Sequence, residues 1–274
     1  MKLTRCWRFV ALGVLINWQV MAAQSGQNPV VVSADEVQWG YLNPLRGDKS
    51  PAAANLWGDR SQDKATGMLV RFRKGFSSPP HIHNISYRGV VLAGAMHNDD
   101  PHAETMWMPT MSFWTQPAGE NHITAANAED NLIYLEIEAG PYLVKPSSEG
   151  FDNGERPVNL HRDNLVWQAL PEHEDAEIAY LWGDTQPGRL RGALLRLPAG
   201  FNGALQSDSG TLRAVVVSGG LTYLMPDGGL QKALTMGGYF ASEAEYTHPV
   251  KVDPQEPLVL YLRSRAGVSL ATTD

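Results

Sequence analysis

The chain has 274 residues, with 22 Lys and Arg against 29 Asp and Glu. That is too long for one small sandwich and about right for two β-barrels of ordinary domain size, and the acidic balance makes nucleic acid and anionic membrane poor partners. Its one cysteine, Cys6, lies near the N-terminus, so disulfides, thiolate metal ligands and a cysteine nucleophile are excluded from everything after it.

Residues 1–23 read as a secretory signal peptide. Lys2, Arg5 and Arg8 give a basic start, Phe9 to Val20 an apolar stretch, and Ala22 and Ala23 the small residues before a cleavage site near Gln24. The apolar stretch is about a dozen residues long and is interrupted by Asn17, Trp18 and Gln19, against the roughly 20 residues that a membrane span needs. Cys6 precedes that stretch, so it is not placed as a lipidated cysteine, and it leaves with the peptide. Cleavage removes three basic residues and leaves a net charge of about −10. A periplasmic or secreted protein, with no membrane partner once the signal is removed, is expected.

Beyond residue 24 the sequence repeats itself at an offset of 125. Leu56-Trp57-Gly58-Asp59 matches Leu181-Trp182-Gly183-Asp184, Gly67 matches Gly192, Gly75-Phe76 matches Gly200-Phe201 and Gly94 matches Gly219. After small shifts His122 meets His248 and Tyr134 meets Tyr261. A duplicated domain is the direct reading. Within each copy the apolar runs are short and rich in β-formers: Gly67 to Phe72, Tyr87 to Leu92, Leu132 to Ile137, Ala214 to Val217 and Pro257 to Leu262. Gly, Pro, Asp and Asn clusters separate them, and no stretch keeps a 3.6-residue apolar period long enough for a major helix. An all-β chain with domains at 24–150 and 151–274 is expected, the join falling in the polar stretch Pro146 to Pro157.

The first copy carries the chemistry. Gly75 is followed after five residues by His81-Ile82-His83, then by Tyr87 and Gly94, and further on comes Pro117-Ala118-Gly119-Glu120-Asn121-His122. Residues two apart on a strand project from one face, so His81 and His83 converge, and a histidine from a facing strand can close a three-nitrogen set with positions left for water, substrate or oxygen. His97, His102, Glu104 and Glu120 lie nearby and are each more often solvated than functional. Glu104 is the loop carboxylate available as an acid or base at a barrel mouth. Trp107, Phe113 and Trp114 read as core or pocket wall, which favours an apolar substrate.

These two segments resemble the two motifs of the cupin superfamily, with Tyr87 where the first motif usually has glutamate and Met111 where the second expects its leading glycine. The whole chain is similar to bacterial bicupins. Its first half is also similar to the cupin domains of zinc-binding anti-sigma factors and to three-histidine cupin dioxygenases. The resemblance implies two tandem jelly-roll barrels, with His122 as third ligand beside His81 and His83 around one divalent transition metal (Zn, Fe, Mn, Ni or Cu). Three readings of Tyr87 stay open: a hydrogen-bonding or substrate-contacting residue beside the metal, barrel packing, or a direct ligand.

The second copy has Gln206, Asp208 and Leu212 in line with His81, His83 and Tyr87, and Glu243 and Glu245 in place of Pro117 and Gly119; only His248 remains, while Gly237 stands where Met111 does. A weak ion on His248, Asp208 and Gln206 is one reading, and a structural or substrate-shaping barrel the other. The functional expectation is a metal-dependent enzyme acting on a small molecule, oxygenase- or lyase-like, with Tyr87 and Glu104 as candidate catalytic residues. Its alternative is a metal-containing binding or sensing module. A homodimer is left open.

Overall fold

The computed structural model describes residues 28–272 apart from 172, 187, 209, 227–229 and 266, so the expected signal peptide lies outside the described residues. Strands dominate, and helix among the described residues is limited to three 3-10 segments, Pro44–Lys49, Ser147–Glu149 and Arg162–Asn164. The all-β expectation holds.

Two seven-stranded sheets form the body. The first runs, in spatial order, Val158–Leu160, Phe113–Gln116, Tyr87–Ala93, Asp130–Ile137, Thr66–Arg73, Ala52–Trp57 and Gly40–Tyr41. The second runs Val30–Val32, Tyr239–Ser242, Leu212–Ser218, Leu258–Ser264, Arg191–Leu197, His173–Gly183 and Gln168–Leu170. Smaller sheets complete each half. Ala95–Asp99 pairs with Ile123–Ala126 and Met108–Pro109, and His81–His83 with Val144–Pro146. In the second half five strands centre on Tyr246–Val252 and Asn202–Ser207. The outer strands cross over between halves: Val30–Val32 pairs with Tyr239–Ala241 of the second sheet, and Val158–Leu160 with Phe113–Thr115 of the first.

Each large sheet is buried on both faces. In the first, Met68, Val70, Tyr87, Val91, Ile133 and Leu135 face the barrel interior. Leu69, Val90, Leu92 and Tyr134 face the other way and join Leu194, Val215, Tyr239 and Tyr261 in a shared core between the sheets. Two buried faces leave no solvent side to alternate with, which is why these strands read as near-continuous apolar runs.

The repeated residues make matching contacts in this shared core. Trp57 Nε1 donates to Tyr134 OH at 3.0 Å and Trp182 Nε1 to Tyr261 OH at 2.9 Å, with the two tyrosine rings 5.2 Å apart. A Cβ at Gly67 would overlap the Trp57 indole and Tyr134 hydroxyl, and one at Gly192 the Trp182 indole. Arg88 lies over Trp182 (3.7 Å) and Arg213 over Trp57 (4.5 Å), so each half places a cation on the other's indole.

Met111 adopts the backbone of the glycine it replaces. Its φ is 74°, against 84° at Gly237. Met111 N–H bonds to Val91 O (2.8 Å) and Gly237 N–H to Val216 O (2.9 Å), one turn made twice. A left-handed non-glycine residue costs roughly 1–2 kcal/mol. The Met111 side chain packs against the shared core, which offsets part of that cost.

Candidate metal centre

His81 and His83 sit on one strand with Ile82 between them, all three buried. His122 is brought opposite by a bridge in which His81 N–H donates to His122 O and His122 N–H to His81 O, both at 3.0 Å. The turn before His122 depends on Gly119 (φ 78°), whose N–H bonds to His83 O at 2.9 Å and whose missing side chain leaves room for Phe151.

One potential ligand atom from each histidine lies within 4.8 Å of the other two. Each Nδ1 faces a backbone carbonyl: His81 to Pro79 O (2.9 Å), His83 to Leu143 O (3.1 Å) and His122 to Glu120 O (3.1 Å). A carbonyl only accepts, so Nδ1 carries the proton on all three rings and Nε2 keeps its lone pair. That is the tautomer and outer hydrogen bonding that metal-ligating histidines show. Burial holds the three imidazoles neutral, lowering His81, holding His83 well below its ordinary value and taking His122 to about 3. The donor set fits a metal ion that accepts neutral nitrogen ligands.

Tyr87 is buried beside them. Its hydroxyl donates to Asn98 Oδ1 at 2.9 Å and lies 3.4 Å from His122 Nε2, and burial raises it well above the ordinary phenol range, so it stays protonated. Asn98 Oδ1 accepts also from Thr124 Oγ1 (2.7 Å) and Asn98 Nδ2 donates to Gln116 Oε1 (2.9 Å), while Gln116 donates to Glu120 O (3.1 Å). Glu120 therefore contributes its carbonyl. Tyr142, which the sequence reading passed over, stacks on His83 at 4.4 Å and places its hydroxyl 3.2 Å from His83 Nε2. Asn84 fixes that segment through Pro141 O and Leu143 N, both at 2.9 Å.

A cavity of about 80 Å³ opens beside His81 and His83, walled by Leu42, Phe72, Phe76, Ile133 and Leu135 and reached by Tyr87, Trp114 and Tyr142. Trp114 is the pocket wall expected; Phe113 belongs to the core between the sheets, and Trp107 is partly exposed. Glu104 and His102 lie in an exposed loop and are not among the residues that line the cavity, so the groups found next to the histidines are hydroxyls rather than that carboxylate. His97 is buried, not solvated, with its ring 6.2 Å from Trp107, and strand alternation turns its neighbour Asn98 to the site instead.

The second half holds no comparable set among the described residues. His248 is enclosed, with Tyr223 OH 2.8 Å from Nδ1 and Ser242 Oγ 3.1 Å from Nε2. Gln206 and Asp208 are exposed, and the residue paired with His248 is Leu205. The strand is thus one residue out of step with the sequence match, and the weak-ion reading of His248, Asp208 and Gln206 is corrected: the three do not converge.

The family described as "Domain of unknown function (DUF4437)" matches residues 30–270. The chain belongs to this DUF4437 family. No curated protein matches the sequence. Among solved structures, this DUF4437 chain is similar to a "putative dioxygenase" from Nostoc punctiforme, with 16% identity, 90% of this chain and 87% of that one covered and a TM-score of 0.64. It is also similar to vicilin from Corylus avellana (13%, 88% and 87%, 0.56) and to oxalate decarboxylase from Bacillus subtilis, described with Mn(II) centres (12%, 90% and 79%, 0.52). At such identities the likeness shows the fold, which is that of cupins. On that fold, His81, His83 and His122 form a buried group that could hold a metal ion.

Proposed function

We propose that the chain is an exported metal-dependent enzyme that transforms a small molecule at the His81, His83 and His122 centre, with oxygenase- or lyase-like chemistry. The observation that carries this reading is the set of three Nε2 lone pairs aimed together by three Nδ1–H bonds to backbone carbonyls, next to a cavity with apolar walls. Held at those nitrogens, one divalent transition metal supplies Lewis-acid polarisation or, if redox-active, activation of oxygen. The protein's own part is positional. Tyr87, fixed by Asn98, and Tyr142, fixed through Asn84, are the hydroxyls closest to the ligand atoms and can hydrogen-bond a substrate oxygen there. The apolar walls exclude bulk water and strengthen those bonds. The second barrel, the product in this reading of a duplication, supports the first without an ion of its own. The Mn(II) centres described for the Bacillus oxalate decarboxylase support metal chemistry on this fold, the Nostoc description as a "putative dioxygenase" supports oxygenase-like chemistry, and the N-terminal sequence pattern supports export.

Elemental analysis tests the reading. About one equivalent of metal per chain is expected, lost in His81→Ala, His83→Ala and His122→Ala and retained in His248→Ala. Two equivalents in the wild type, halved by His248→Ala, would overturn it. Iron in the purified protein favours oxygen consumption as the activity assay, and zinc favours lyase assays.

A further inference from the structure

Of the two hydroxyls beside the histidines, one has its proton committed elsewhere and the other does not. Tyr87 donates to Asn98 Oδ1 at 2.9 Å, a partner outside the histidine set. Tyr142 OH makes one hydrogen bond among the described residues, 3.2 Å to His83 Nε2. The direction of that bond follows from the tautomer. His83 gives its Nδ1–H to Leu143 O (3.1 Å), so Nε2 carries a lone pair and Tyr142 is the donor. A metal ion held by His83 takes the same lone pair. One acceptor position cannot serve both, so filling the centre leaves the Tyr142 proton without its partner.

The hydroxyl is not free to leave with its segment, which is tied to the strand of His83 on both sides. Tyr142 N–H bonds to Arg60 O, Asn84 Nδ2–H to Pro141 O and Leu143 N–H to Asn84 Oδ1, all at 2.9 Å, and Val144 pairs with His83 in the ladder beyond. The ring stacks on the His83 imidazole with centroids 4.4 Å apart and lines the cavity. The side chains of Leu42, Phe72, Ile133 and Leu135 that wall this cavity offer no acceptor, so the acceptor has to enter with whatever occupies it. Resting on the metal-site reading above, we propose that Tyr142 determines which ligands the centre takes: its hydroxyl donates to His83 Nε2 when the centre is empty and to the oxygen of the bound small molecule when it is filled, so that oxygen ligands are favoured over thiolates.

The cobalt-loaded chain tests this with two small probes, acetate, which offers an oxygen, and ethanethiolate, whose sulfur is a weak acceptor. Titrations followed by the cobalt absorption spectrum should show acetate bound about tenfold more weakly by Tyr142→Phe than by the wild type, and ethanethiolate bound alike by both. Cobalt itself should be held at least as tightly by the variant, because filling its centre no longer breaks a hydrogen bond. In the metal-free chain the nitrogen resonance of His83 Nε2 should move on Tyr142→Phe, since the lone pair loses its donor. A readout that needs no variant is the Tyr142 hydroxyl proton of the zinc-loaded wild type, which should move downfield with acetate and not with ethanethiolate. Weaker cobalt binding by the variant would make Tyr142 a ligand and overturn the proposal. Equal acetate affinity, an equal loss for both probes, or an unmoved His83 or Tyr142 resonance would also overturn it, each leaving the metal reading in place. A wild-type chain that takes up no cobalt would overturn the metal reading, and the proposal with it.

Discussion

Tyr87 shows how one hydroxyl is placed by its surroundings. It donates to Asn98 Oδ1, which also accepts from Thr124, so Tyr87→Phe leaves Asn98 with a partner and keeps the ring. Metal content and fold should therefore survive. The lost bond should cost about 0.5–1.5 kcal/mol in stability or ligand affinity, read by denaturant unfolding and by titration. A variant that loses its metal would instead make Tyr87 a ligand, and one that matches wild type in every measurement would make it packing. His248 is the counterpart histidine with a different task. Burial lowers it to about 3 from an ordinary value of 6.5, so it folds in neutral. Its stabilising contribution is complete above pH 6.5 and declines as pH falls towards 3, because over that window the unfolded chain binds the proton and the folded one does not. The Gln of a His248→Gln variant does not titrate, so the difference between the two proteins isolates this one group. The stability gap between wild type and variant should accordingly narrow by up to a few kcal/mol from pH 7 to pH 4. A gap that is constant with pH would show that His248 is accessible to protons in the fold.

At the scale of strands and turns, several of the residues that repeat cannot be changed without a clash, Gly67, Gly94, Gly192 and Gly219 among them. Gly192 faces the Trp182 indole with no room for a methyl group, so Gly192→Ala must displace either the strand or the Trp182–Tyr261 bond. A loss of about 1–3 kcal/mol is expected from denaturant unfolding, as for overpacking of a tight core. Little change would mean that the indole has space to move. The same physics decides what was legible beforehand. The glycines, tryptophans and tyrosines of the repeat, and the His-x-His spacing, are local signals that each carry their own geometry, and they located the barrels and the three histidines. Strand parity is less forgiving, since one residue of slip turns a side chain to the other face. That slip separates Asn98 from His97 in the first half, and Leu205 and Ser207 from Gln206 and Asp208 in the second. Tyr142 was not legible at all. It comes from a loop that approaches the histidines only in the folded chain, 59 residues away from His83 in sequence.

Across the whole molecule, the shared core also carries buried charge, where Arg263 meets Glu136 at 3.3 Å and clasps Glu138 through two bonds of 2.8 and 2.7 Å. Glu136 is almost fully buried and also accepts from Tyr134 OH at 3.1 Å. Burial works to raise the Glu138 carboxyl, but the hydrogen bonds and charges of Arg263 and Arg88 outweigh it and hold the group at about 2. Glu136 follows Tyr134 by two residues, as Arg263 follows Tyr261, so these are matching positions that face each other across the sheets. Two copies of the first half placed in this arrangement would set Glu136 against Glu136, a buried like-charge pair, whereas first against second gives an ion pair. The pair therefore selects the pairing of unlike halves more than it adds net stability, since a buried ion pair repays little beyond its desolvation. Breaking it from one side is another matter. Arg263→Met should cost about 3–5 kcal/mol, because it leaves Glu136 buried with Arg88 no closer than 3.6 Å as its cation. Adding Glu136→Gln removes the stranded charge and should recover most of that loss, with Glu138, half exposed, turning to solvent. Denaturant unfolding of the wild type, both single variants and the double variant completes the cycle. Additive losses would show that Arg263 and Glu136 do not depend on each other, and selectivity between the halves would then have to come from the apolar contacts and the crossed Arg–Trp pairs alone.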